Sequence, residues 1–106
     1  SGEECYGPAY ASHRIDGSRV ILKFNHTGKG LAFQHGTKLQ GFIIAGEDKK
    51  FVWADAVIEG DSIIVSSDKV PKPAAVRYAW ASAHPWANLF NKDGLPAQTF
   101  RTDEWK

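Results

Sequence analysis

The triplet Gly60-Asp61-Ser62, inside VIEGDSIIV (57–65), has the form of a serine-nucleophile motif used in ester hydrolysis. A serine of that kind needs a base within hydrogen-bond reach and a third group that orients the base. Where Gly-Asp-Ser serves this role, the serine follows a buried strand early in an α/β domain, and its histidine lies far downstream in Asp-x-x-His. Here the histidine that follows Ser62 is His84, in Ala81-Ser82-Ala83-His84, with no aspartate three positions before it. Glycine supplies the positive φ of a tight turn and aspartate bonds its own backbone there. The triplet therefore reads as a hairpin corner, and no catalytic residue is assigned.

The other chemical candidates are equally bare. His13, His26, His35 and His84 show neither His-x3-His nor a cysteine at zinc spacing. Asn91-Lys92-Asp93-Gly94 resembles the middle of a calcium loop, but that register puts Leu89 first and Phe100 last, and neither offers a side-chain oxygen. Gly28-Lys29-Gly30 lacks the third glycine of a dinucleotide fingerprint. Glu47 and Asp48 are adjacent, so in extended chain they point to opposite sides, unlike the paired carboxylates of glycosidases. The sequence calls for no metal and no cofactor.

Aromatic residues are the remaining chemistry. Thirteen of them stand in 106 residues, four being tryptophan, more than one small core must hold. Flat Trp and Tyr faces stack on sugar rings and also anchor interfaces between domains. Trp53, Trp80 and Trp86 are the first candidates for exposed rings, with Arg77, His84 and Asn88 as polar neighbours able to read hydroxyls. Phe51 and Trp53 share strand parity and point the same way, with Trp53 a candidate for the core.

The elements that must position these residues are strands. Beta-branched and aromatic residues alternate with polar ones in short runs, and no stretch keeps an i, i+3, i+4, i+7 apolar pattern over helical length. RVILKF (19–24) sets Val20, Leu22 and Phe24 on one face. Residues 41–67 read as a three-stranded meander: GFIIAG, FVWADAVI and IIVSS, joined by Glu47 to Lys50 and by Glu59 to Ser62. AAVRYAW (74–80) is a further strand, and Pro71 and Pro73 belong in the loop before it. After Trp80 a short strand at 88–90, a turn at 92–94 and an irregular strap complete the chain. Six to eight strands in about 100 residues predict an all-β fold: one domain, residues 1–106, built as a two-sheet antiparallel β-sandwich, immunoglobulin-like or jelly-roll-like.

The totals remove several function classes. A net charge of +1 with scattered charges supplies no basic stripe, so nucleic acid is not an expected partner. No apolar run approaches the roughly 20 residues that span a bilayer, and no membrane partner is expected. Cys5 is the one cysteine and cannot form an internal disulfide. Methionine is absent and the chain opens on Ser1-Gly2, so it reads as an excised piece or a processed product.

LQGFIIAGEDKKFVWADAVIEGDSIIVSS (39–67), AAVRYAWA (74–81) and NLFNKDGLPAQTFRTD (88–103) together resemble the C-terminal region of bacterial sialate O-acetylesterase-like carbohydrate esterases, and Gly7-Pro8-Ala9-Tyr10 resembles the Gly-Pro-x-Tyr where that region begins. Nearly the whole chain is covered in order, with one departure at Thr99, where family members usually carry proline. In that family the catalytic serine and Asp-x-x-His lie upstream, in an α/β domain of the SGNH hydrolase kind. The resemblance implies a non-catalytic C-terminal domain of a larger periplasmic or extracellular, soluble enzyme. That domain would pack on the hydrolase domain or shape one wall of its sugar cleft, with Phe100 and Arg101 docking. Docking of this kind requires an exposed apolar patch. An independent carbohydrate-binding module is the alternative.

Overall fold

The computed structural model describes residues 7–34, 36–80 and 86–105. Ten strands form in chain order: β1 (Ala9–Asp16), β2 (Arg19–Asn25), β3 (Leu31–Phe33), β4 (Phe42–Ala45), β5 (Val52–Trp53), β6 (Asp55–Glu59), β7 (Ser62–Ser66), β8 (Ala75–Tyr78), β9 (Leu89–Asn91) and β10 (Phe100–Arg101). They make one four-stranded sheet in the order β1-β2-β7-β6, a second in the order β10-β8-β4-β5, and a two-stranded ribbon of β3 and β9. All pairings are antiparallel. The all-β sandwich expected from the alternation is the architecture found.

Alternation decides which side chains meet between the sheets. Val20, Leu22 and Phe24 of β2 and Ile63 and Val65 of β7 point inward from the first sheet. Phe42 and Ile44 of β4 and Val76 and Tyr78 of β8 point inward from the second. Phe100 joins the layers: its ring stacks on Tyr10 at 4.9 Å between centroids, lies 5.7 Å from Tyr78, and meets Phe24 edge-on at 5.5 Å. Burial pushes the Tyr78 phenol up to about 12, and its oxygen accepts the Leu89 N–H at 2.8 Å.

Two tight corners share one chemistry. Gly17 and Gly60 stand first in the two-residue turns of the β1–β2 and β6–β7 hairpins, each with φ of 62°, the positive φ that a II′ turn demands at that place. The Ser62 corner is thus Gly60-Asp61, and Ser62 is already the first residue of β7.

Two expectations change, and one strand appears that the sequence pattern did not announce. Residues 51–58 are not one strand of a meander: β5 pairs with β4 in the second sheet and β6 with β7 in the first, so the chain crosses between sheets at Ala54. Residues 9–16 form the eight-residue edge strand β1. The tail is pinned in place by β10 along β8, where Val76 N–H donates to Thr102 Oγ1 and Thr102 N–H donates to the Val76 carbonyl.

Candidate functional site

The crossing at Ala54 builds the most distinctive surface of the molecule. Through residues 53–57 the chain stays extended, so Ala54 and Ala56 turn inward while Trp53, Asp55 and Val57 turn outward. Both strands are sheet edges, so among the described residues no further strand pairs along that flank. Trp53 is 54% exposed and Val57 61%. Trp53 is therefore not a core residue: Val52 is the side chain of β5 that packs against the core.

A second wall comes from the loop before β4. Asn88 is buried and holds that loop by its backbone: Oδ1 accepts from Gln40 N–H at 2.6 Å and Nδ2 donates to the Lys38 carbonyl at 2.9 Å. Gly41, at φ of 99°, passes so close to Ala87 that an added Cβ would sit 2.6 Å from the Ala87 Cα. These contacts fix residues 38–41 beside Trp86, which is 58% exposed. Between the walls lies an open concavity of about 620 Å³, lined by Trp53, Val57 and Trp86 together with Lys38, Gln40 and Asp55. Its apolar margin continues onto the outer face of the first sheet, where Val57 pairs with Ile64 and Ile64 with Ile21.

The sequence candidates thus separate into two places. Trp53 and Trp86 share the concavity. Trp80, Arg77 and Arg101 stand apart on the outer face of the second sheet. There the Arg77 guanidinium lies 4.3 Å from the Phe51 ring and 5.4 Å from Trp80, and Arg101 lies 5.1 Å from Trp80. Arg77 also donates twice to Asp103, from Nε at 3.0 Å and from Nη2 at 2.7 Å. These bonds hold the Asp103 carboxyl below the usual carboxylate range and raise Arg77 further. With Nε and Nη2 bonded to Asp103 and the Phe51 and Trp80 rings beside its guanidinium, Arg77 anchors the tail. Phe100 is buried in the core, so its ring does not dock outside it. Asn88 likewise spends its amide on backbone. His84 lies outside the described residues.

Ser62 sits on the solvent side of the first sheet between Glu59 and Lys23 in the pairing register. His13 falls in the row of Leu22 and Ile63, on the other face, with Nδ1 2.6 Å from the Tyr10 hydroxyl. His26 belongs to the loop after β2, its carbonyl facing the Asn91 amide at 3.4 Å. Among the described residues no group of three or more His, Cys, Asp and Glu gathers as a metal site would require.

No family model matches the chain, and no curated protein does. The crystal structure of a novel carbohydrate acetylesterase from Xanthomonas citri matches it at a TM-score of 0.93 and 42% identity, over 99% of this chain. The chain is similar, throughout, to one piece of that enzyme. It spans 24% of the length of the Xanthomonas acetylesterase, so the larger part of that protein has no counterpart here. No helix among the described residues is long and apolar enough to cross a membrane.

Sequence reasoning missed the walls contributed by Lys38, Gln40 and Asp55. A signal existed in Trp53-Ala54-Asp55-Ala56-Val57, where small residues occupy one parity and large apolar ones flank an aspartate on the other.

Proposed function

We propose that this chain is a non-catalytic β-sandwich domain of a carbohydrate O-acetylesterase, of the sialate O-acetylesterase-like kind with an SGNH hydrolase domain. In this reading it packs on the hydrolase domain or forms one wall of its sugar cleft, in a periplasmic or extracellular enzyme. The observation that carries it is the match of the whole chain to a quarter of the Xanthomonas acetylesterase. Among the described residues, Ser62, set in a hairpin between Glu59 and Lys23, has no histidine partner of the kind that nucleophilic catalysis needs. The exposed apolar side chains at the Ala54 crossing supply the kind of patch that a docked domain or a ligand covers.

The test has two arms. The purified chain, given p-nitrophenyl acetate or an acetylated polysaccharide, is expected to release no acetate above buffer. Removing the matching segment from the Xanthomonas acetylesterase is expected to lower its kcat/KM or its thermal stability. Acetate release by the chain alone that disappears in Ser62→Ala overturns the reading, as does a truncated enzyme unchanged in both properties.

A second reading, an independent carbohydrate-binding module, is favoured by the two exposed tryptophans that share one concavity.

A further inference from the structure

We propose that the concavity at the Ala54 crossing is a subsite for a neutral pyranose, with Trp53 and Trp86 as its stacking platforms and Gln40, Lys38 and Asp55 as its hydroxyl-reading rim. The inference deepens the carbohydrate readings above and rests on them for its ligand class.

Its size is right for sugar. A volume of about 620 Å³ lies within the range of small-molecule sites, roughly 300 to 1,000 Å³, and accommodates a short oligosaccharide. Its composition is right as well. A pyranose presents apolar C–H faces and a polar hydroxyl edge, so it needs flat aromatic surface beside hydrogen-bonding groups. Here two indole rings from separate elements are each more than half exposed. Between and beside them stand an amide, an ammonium and a carboxylate that the same walls carry. Partner hydroxyls both donate and accept, which suits a rim holding Asp55 as acceptor, Lys38 as donor and Gln40 as both.

The charge pattern decides between sugars. Among the described lining residues the charged groups are one cation, Lys38, and one anion, Asp55. A carboxylate on the ligand is repelled by one about as strongly as it is drawn by the other, so no net field selects a sialic or uronic acid. A site for an acidic sugar would carry an excess of cation, and the arginines of this molecule are elsewhere. Arg77 is held by Asp103, and Arg101 lies over Trp80.

The walls are also built to stay in place without ligand. Asn88 ties the Lys38 and Gln40 backbones together, and the close pass of Gly41 over Ala87 joins that loop to the turn carrying Trp86. Little ordering is left for the ligand to impose, which favours binding by a small surface.

The experiment is an NMR titration of the 106-residue chain, following indole N–H signals, with xylohexaose or cellohexaose against 3′-sialyllactose and a galacturonate oligomer. At millimolar concentrations the neutral oligosaccharide is expected to shift the Trp53 and Trp86 signals and to leave Trp80 and Trp105 in place, independently of salt. Trp53→Ala and Trp86→Ala, each with an unchanged melting temperature, should weaken binding by about tenfold, the scale of one lost aromatic contact, while Trp53→Phe retains most of it. Three results overturn the proposal: no shift with either neutral ligand, shifts confined to Trp80 and Trp105, or equal or tighter binding of the acidic sugars with strong salt dependence. Failure here leaves the acetylesterase-domain reading intact, because that reading is scored on acetate release and on the truncated enzyme.

Discussion

Asn88 shows how one side chain decides the shape of a surface it does not reach. Its amide accepts one bond from and donates one bond to the loop at 38–40, so removing it strands a backbone N–H and a backbone carbonyl in a partly buried setting. Each such loss costs about 1 to 3 kcal/mol, and Asn88→Ala is expected to lower unfolding free energy by that order in urea titrations. A residue that only read sugar hydroxyls would lower affinity and leave the urea midpoint alone. Arg77 and Asp103 teach the same lesson with charge. Asp103 has its folded pKa depressed by Arg77, so the stability it adds is fully present above its ordinary value of about 3.9. That contribution is lost as pH falls through the lower folded value. Melting temperature should therefore drop steeply below about pH 4 in the native chain and less so in Asp103→Asn, which should already melt lower at neutral pH. Identical acid profiles for the two proteins would contradict the assignment.

At the scale of elements, the inward faces of β2 and β8 could be read from the sequence because apolar residues alternate there with Lys23 and Arg77, whereas the continuous apolar runs of β4 and β7 do not say which side faces the core. The crossing at Ala54 could not be read that way, since a strand that leaves one sheet and enters another keeps its period of two. Pairing partners change there, and pairing is a non-local property. The edge strand β1 escaped notice for a related reason: most of its residues are exposed, so burial imposes no apolar alternation on it. For Trp53, parity was legible and the direction was not, because two alanines on the opposite parity give a weak indication of the core side. The glycines separate turn geometry from close approach. Gly60 has open space where a Cβ would stand, so Gly60→Ala should cost only the backbone term, about 1 to 3 kcal/mol. Gly41→Ala meets the Ala87 backbone in addition and should cost more, with larger chemical-shift changes at the Trp86 indole. Equal losses for the two variants would argue against a wall fixed by that contact.

For the whole molecule, the proposed reading assigns this chain the role of an aromatic-cored body with one hollowed edge and leaves the bond-breaking chemistry to other polypeptide, a proposal supported by the match to 24% of the Xanthomonas acetylesterase. The sheet architecture was accessible from patterning alone. The concavity was not, because its lining comes from residues 38–41, 53–57 and 86, which only the closed fold brings together. The most direct measurement is a domain replacement: the matching quarter of the Xanthomonas acetylesterase is exchanged for this chain, and acetate release from an acetylated polysaccharide is compared with that of the truncated enzyme. The account predicts that the hybrid regains the kcat/KM or thermal stability that the truncated enzyme has lost. A hybrid that folds, as judged by a cooperative thermal transition, yet improves on the truncation in neither kcat/KM nor melting temperature would contradict it.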